Sequence, residues 1–248
     1  MEFAMQQSQA ESAAGARFTV GFIFSRSFAL LAKNPAIFLG LTFVALLPRA
    51  VTALFMFPSD DTPGGLVFAT ALMEYVILLI SQGAVAYAVF QVARDESVAF
   101  VDAVSRGMAR FLPLVLAALL MGLGIGLGML ALIPGFVLMS LWVATIPACV
   151  VERLGATASV QRSMDLTLGY RLRVFALVML VFIVNCALAF LISMLSTQSG
   201  TLLFAALAPL LGLTIPQAFT SVMNAVIYYE LRRIKEGISL DSLAGVFD

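Results

Sequence analysis

The residues able to do chemistry in this chain are few, and most lie where charge or polarity is costly. Its 248 residues hold no histidine, two cysteines, and 14 basic and 14 acidic side chains. The sequence contains no Cys-x-x-Cys pair, no acids clustered at metal-ligand spacing and no phosphate-binding glycine loop after a strand. Mechanisms that need an imidazole or a bound transition metal are therefore excluded, and no cofactor or metal is expected. A serine or acid mechanism is not excluded, but nothing points to one, so a non-enzymatic protein is expected. Two constellations remain. Arg49 and Glu74 are charges placed deep in apolar stretches. Gln217, Thr220, Ser221, Asn224 and Tyr228 form a polar stripe on one helix face near Pro209 and Pro216.

The elements that carry these residues are membrane helices. Thr201 to Glu230 holds one charge, Glu230 itself, and the whole chain is 62% hydrophobic and 11% charged. Its mean hydropathy is +1.05. A helix needs about 20 apolar residues to cross a hydrocarbon core of roughly 30 Å. Six spans follow: Pro35 to Phe57, Leu66 to Val92, Leu112 to Ile133, Phe136 to Val151, Val174 to Ser196 and Thr201 to Glu230. The fold class is an all-α polytopic bundle, with six transmembrane helices in three hairpins and amphipathic interfacial helices. Pro134-Gly135 reads as a tight turn between the third and fourth spans. Residues 1–16 read as a disordered cytoplasmic tail without a signal peptide, 17–231 as one membrane domain and 232–248 as a second cytoplasmic tail.

On this map all but Arg49 of the 14 Lys and Arg residues fall on one side of the membrane. Basic loops are retained in the cytoplasm, so both termini are expected there. A net charge of zero conceals this asymmetry and does not argue against anionic partners.

Each hairpin is preceded by a mixed segment: FTVGFIFSRSFALLAKN, SVAFVDAVSRGMARF and GATASVQRSMDLTLGYRLRVF. The apolar and charged stripes of each predict a helix lying on the membrane surface. Each also holds an Arg followed by a small residue, Arg26-Ser27, Arg106-Gly107 and Arg162-Ser163, which suggests three repeated units. Lys33, Arg106, Arg110 and Arg162 are the interfacial basic residues expected to meet anionic lipid headgroups. The alternative is that any cytoplasmic connector of a membrane protein tends to be amphipathic and basic.

Polar groups avoid lipid, so the stripe on the last span should face the bundle, with Asn185 on the fifth span at a matching depth. Interhelical hydrogen bonding or a polar cavity lined by Asn185, Gln217, Thr220, Ser221 and Asn224 would satisfy it. Arg49 and Glu74 lie equally far from the centre of the loop at Asp61 and Thr62, which predicts an intramembrane ion pair. In MGLGIGLGM, Gly122 with Gly126 and Gly124 with Gly128 form two G-x-x-x-G faces for packing within the chain, for a homodimer seam or for a flexible gate. Cys149 and Cys186 differ in depth and read as packing residues rather than a disulfide.

The stretch IPGFVLMSLWVATIPACVVERLGATASVQRSMDLTLGYRLRVF resembles the bacterial YciC-like group and the related membrane domain of glycerophosphodiester phosphodiesterases. The similarity rests on Pro134-Gly135, Glu152, Arg162-Ser163, Leu166 and Gly169, and FSRSFALLAKNPAIFLG and YYELRRIKEGI extend it to about half the chain. The resemblance implies a six-helix bacterial inner-membrane protein of undefined molecular activity. It does not imply phosphodiesterase activity, because in the two-domain enzymes catalysis belongs to a soluble barrel with histidines and metal-binding carboxylates that this chain lacks. Glu152 and Arg162 match the pattern, where capping and tethering the connector helix is their simplest role.

Three functions are consistent with these observations. The first is a non-catalytic accessory or envelope-maintenance component of the inner membrane. The second is a small transporter or channel for a lipidic or small polar solute, and the third a membrane anchor for a soluble phosphodiesterase. Expected partners are membrane lipids, anionic ones among them, with a protein partner or a second copy left open; nucleic acid is not expected. A polar cavity reaching both Glu74 and Asn224 would favour transport, and a sealed bundle the accessory role.

Overall fold

A computed structural model of the chain describes residues 18–55, 64–94, 96–199 and 201–237. Six helical stretches are long and apolar enough to cross a membrane: Pro35–Thr52, Gly64–Ala93, Phe111–Leu130, Ile133–Val151, Arg171–Ser196 and Leu207–Glu236. They agree in number and order with the spans read from the sequence, and the protein is an all-α, multi-pass helical bundle. The first unit is α1 (Val20–Lys33), α2 (Pro35–Phe55) and α3 (Gly64–Ala93). The second is α4 (Phe100–Met108), α5 (Phe111–Leu130) and a fourth span divided into α6 (Ile133–Leu141) and α7 (Thr145–Val151). The third is α8 (Ala156–Thr167), α9 (Arg171–Ser199) and α10 (Leu202–Glu236).

The long helices α3 and α10 pack on each other and on α2, with α1 along α10. Their facing residues, among them Ala84, Val85, Ala88, Val222, Met223 and Ile227, form the main buried core. Only 17% of the α5 span and 11% of the α9 span are buried, so exposed side chains such as Leu123, Leu127, Ile183 and Phe190 belong to the lipid-facing surface.

Continuity of the fourth span is the main departure from the predicted spans. It breaks at Trp142–Ala144, where helical hydrogen bonding is interrupted. Backbone groups at this depth cannot turn to water, so each must find a partner inside the protein. Ser163 of α8 supplies it: its hydroxyl donates to the Leu141 carbonyl at 2.7 Å and accepts from the Ala144 N–H at 3.1 Å. The tight turn also lies slightly earlier than expected, at Ala131 and Leu132, and Leu132 has φ 59°. Pro134 sits in the first turn of α6, where its missing N–H costs nothing. Gly135 lies against Gly128 across the turn; a Cβ on Gly128 would meet Gly135 Cα at 2.9 Å.

That close approach separates the two glycine faces of α5. Gly124 and Gly128 pack within the chain, and a Cβ on Gly124 would meet the Trp142 ring at 2.3 Å. Gly122 and Gly126 have open space beside them. Cys149 is buried and Cys186 exposed, and both are free thiols.

The Arg-small element recurs for a physical reason that differs in detail from unit to unit. In each short helix the small residue is the point of closest packing. Ser27 and Ser163 are fully buried, and a Cβ on Gly107 would meet the Ile80 carbonyl oxygen of α3 at 2.7 Å. The preceding arginine then reaches the bundle: Arg26 pairs with the buried Glu230 at 3.0 Å, Arg106 lies 5.6 Å over the Tyr87 ring, and Arg162 binds Glu152. These helices are clamped to the bundle through one face, while Val101, Met108 and Leu168 remain exposed on another.

Helix α10 runs past the expected boundary at 231 and ends at Gly237, whose φ of 63° closes the helix through a bond from its N–H to the Arg233 carbonyl. Residues 1–16, the remainder of the C-terminal tail from 238, and the loop at Asp61 and Thr62 lie outside the described residues.

If Ser163 holds the broken span together, Ser163→Ala leaves two buried backbone groups unpaired. It should lower stability by about 1–3 kcal/mol. Ser105→Ala, which removes only an exposed bond to Asp102, should stay within about 0.5 kcal/mol. Unfolding midpoints of the purified protein in mixed micelles compare the two.

Candidate functional site

Four of the five residues expected to line a polar cavity do so. A cavity of about 300 Å³ opens between α5, α9 and α10 and the break in the fourth span. Asn185, Gln217, Thr220 and Asn224 form its polar wall together with Gln82 of α3. The stripe faces inward because α10 presents residues 217, 220 and 224 at three- and four-residue spacing. Ser221 is buried and takes no part in the wall. The remainder is apolar, with Met121, Ile125, Met139, Phe182 and Met223 among its residues.

Gln82 and Trp142 were not predicted as part of this site. Gln82 has a signal in the sequence, an amide beside Ser81 well inside an apolar span. Trp142 is the only tryptophan of the chain, and the break at residues 142–144 sets it in the cavity wall.

The electrostatic character of the wall is polar and uncharged. Asn185 Nδ2 donates to the Val181 carbonyl at 2.8 Å and to Thr220 Oγ1 at 3.2 Å, and the Thr220 hydroxyl donates to the Pro216 carbonyl. This bond latches α9 to α10. No hydrogen bond joins Gln82, Gln217 or Asn224 to another described residue. The indole N–H of Trp142 and the hydroxyl of Thr145 are buried without a hydrogen-bond partner among the described residues. Each buried polar group left unsatisfied costs about 1–3 kcal/mol, so this wall is suited to holding polar atoms that can both donate and accept.

Glu74 is not part of it. It lies eight residues from Gln82 along α3, roughly 12 Å at helical rise, and is bound instead by Thr52. The Thr52 Oγ1 lies 2.9 Å from both Glu74 Oε1 and the Arg49 carbonyl oxygen. The expected Arg49–Glu74 ion pair is not formed among the described residues. The hairpin register sets Glu74 opposite Thr52, while the Arg49 side chain is exposed on the outer side of α2.

The interfacial basic residues are largely engaged by the protein rather than held out toward lipid. Lys33 Nζ donates to the Val92 carbonyl at 3.1 Å near the C-terminus of α3, where a cation complements the helix dipole. Arg106 covers Tyr87. Arg110 precedes α5 half-buried, and its Nε has no hydrogen-bond partner among the described residues. Arg162 joins a charged knot below the cavity. Its Nε donates to both oxygens of Glu152, at 2.9 and 2.8 Å, and its Nη2 binds Glu236. Tyr228 donates to Glu152 Oε1 at 2.9 Å, and Arg232 bridges Tyr228 and Glu236 at 3.0 and 2.8 Å. Burial pulls the Arg162 guanidinium down, but the bonds to Glu152 and Glu236 outweigh it and hold the group above its ordinary value. Through these bonds Glu152 and Arg162 hold α8 to α7 and α10. Tyr228 lies one helical turn from Asn224, so the knot forms the floor beneath the cavity.

No group of three or more His, Cys, Asp or Glu residues suited to a metal is present among the described residues.

The register makes a specific energetic prediction. Thr52 and Glu74 should couple by about 0.5–1.5 kcal/mol in a double-mutant cycle of Thr52→Val and Glu74→Gln, whereas Arg49→Ala and Glu74→Gln should be additive. Melting of the four variants of each cycle in one detergent measures both. No family model, curated protein or solved structure matches the chain.

Proposed function

We propose that the protein is a non-catalytic component of the bacterial inner membrane, with both termini cytoplasmic, acting as an accessory or envelope-maintenance factor by holding a small molecule within the bundle. The observation that carries this reading is the cavity wall of Gln82, Gln217 and Asn224, three amides with no hydrogen-bond partner among the described residues. Ligand sites in membrane proteins form where polar groups converge near the bilayer midplane between helices. The largest charged cluster, by contrast, is already internally paired through Glu152, Arg162, Arg232 and Glu236, which suits a structural role. The bias of Lys and Arg supports the orientation, and the resemblance to the YciC-like group supports the bacterial inner membrane.

A second reading, transport of a lipidic or small polar solute, draws support from the same cavity, because a broken helix beside a polar pocket is a common architecture for a substrate path. The separation of Glu74 from the cavity counts against a carboxylate coupled to the bound molecule.

Orientation and occupancy are separately measurable. Reporters fused after Asp61 should lie outside the cytoplasm, and those after Asp102, Arg162 and Asp248 inside. Protein extracted in native lipid should carry a small molecule detectable by mass spectrometry. Asn224→Leu, which replaces an amide of the wall with an apolar side chain of similar size, should lose that molecule while staying folded, its melting temperature lowered only by the lost ligand contribution. Equal occupancy in parent and variant would remove the cavity from the function.

A further inference from the structure

The cavity does not stand alone. On the other side of α9 a groove of about 470 Å³ runs between α1, α9 and α10, almost wholly apolar, with Phe24, Phe28, Val184 and Ile215 among its residues. Phe28, Val184 and Ile215 are exposed on the surface that the bilayer covers. Groove and cavity share two residues, Val181 and Asn185. Pro216 also borders the groove. A proline inside a helix cannot donate to the carbonyl four residues earlier, here that of Gly212, so α10 is weakened along this seam. The boundary between groove and cavity therefore includes Val181 and the Asn185–Thr220 latch, beside a helix segment with a missing backbone bond.

These features set the chemistry of an occupant. The cavity wall offers amides and a hydroxyl, with no charged side chain among its residues. An anionic or cationic head would enter without a counter-charge, which in this medium is strongly disfavoured. A head bearing hydroxyl, ester or amide groups would satisfy Gln217 and Asn224 in both directions. Water alone would satisfy the amides too, but it would leave the apolar majority of the wall and the adjoining groove without a role.

Resting on the reading that the cavity holds a molecule, we propose that its ligand is an amphiphile with an uncharged, hydrogen-bonding head and an acyl chain. The head lies against Gln217 and Asn224, the chain lies in the groove of α1, α9 and α10, and entry is sideways from the bilayer past Asn185. Charged-headed lipids are excluded by the uncharged wall, and water-soluble polyols bind poorly because they leave the groove unfilled.

Trp142, the only tryptophan, lines the cavity and is itself buried, so bromine on the acyl carbons next to the ester, which lie beside the head in the cavity, should quench its fluorescence. The experiment uses the full chain in nanodiscs of unbrominated phosphatidylcholine. The probes are a dibromostearoyl monoacylglycerol and, for the charged case, a dibromostearoyl lysophosphatidate. The monoacylglycerol should quench saturably and be displaced by its unbrominated form, while lysophosphatidate should give only the small linear loss expected of bulk lipid. Gln217→Leu should weaken the monoacylglycerol by roughly tenfold through loss of a pair of hydrogen bonds. Val184→Phe, at an exposed position of the groove that leaves every amide in place, should weaken it comparably. Equal saturable quenching by both probes overturns the head-group assignment. Full binding in Val184→Phe, or displacement by glycerol at the same concentration as monoacylglycerol, overturns the acyl groove. Absence of saturable quenching from a protein that still carries a copurified molecule overturns this inference alone. Absence of both overturns the cavity reading as well.

Discussion

The requirement that every backbone polar group inside the bilayer find a partner within the protein governs this structure. It is met along unbroken, proline-free helix and, at Trp142–Ala144, with the help of a side chain. There one hydroxyl, Ser163, serves both sides of the gap. Much else follows from that contact. It seats α8 beneath the bundle, brings Arg162 to Glu152, and turns Trp142 into the space left by Gly124. An unbroken fourth span would carry residue 142 in a different direction and would have no use for a serine on the connector helix. The cavity is in this sense a by-product of a repaired helix.

The same economy explains why charged residues near the membrane surface turn inward. Each short helix exposes apolar side chains on one face and contacts the bundle through another, which leaves its arginine closer to protein than to headgroups. Arg26 reaches Glu230, which is 2% exposed. Removing Arg26 would leave the buried Glu230 with only the longer 3.8 Å contact to Arg233. The buried pair thus fixes where α1 lies on α10, a positional role rather than a large net gain in stability.

Fold class and span order were legible because they rest on composition and length, which survive any detail of packing. The inward stripe of α10 was legible for a related reason: Gln217, Thr220 and Asn224 are too polar to face lipid, and periodicity shows that they share a face. Register was not. Placing Glu74 against Arg49 assumed a loop whose centre marks the hairpin axis, whereas side-chain packing between α2 and α3 shifts Glu74 to Thr52. The break in the fourth span was only half legible. Pro147 in LMSLWVATIP cannot donate to the Val143 carbonyl, but the residue that completes the break lies 19 positions beyond Ala144. The role of Trp142 was hidden with it. Of the two glycine faces, sequence shows that both can pack closely; only the turn at Leu132 determines which one does.

The repaired break also orders the protein's assembly. The turn at Ala131 and Leu132 is too short to leave a loop of its own, so α5 and α6 must enter the membrane as one hairpin. When α7 follows, the Leu141 carbonyl is still waiting for Ser163, 22 residues downstream. At synthesis rates of roughly 5–20 residues per second, that interval lasts about 1–4 s. Until α8 is in place, the Leu141 carbonyl and the Ala144 N–H lack the partner they have in the folded chain. Arrival of α8 ends that state, making the connector helix the closing piece of the unit before it as well as the opening piece of the one after.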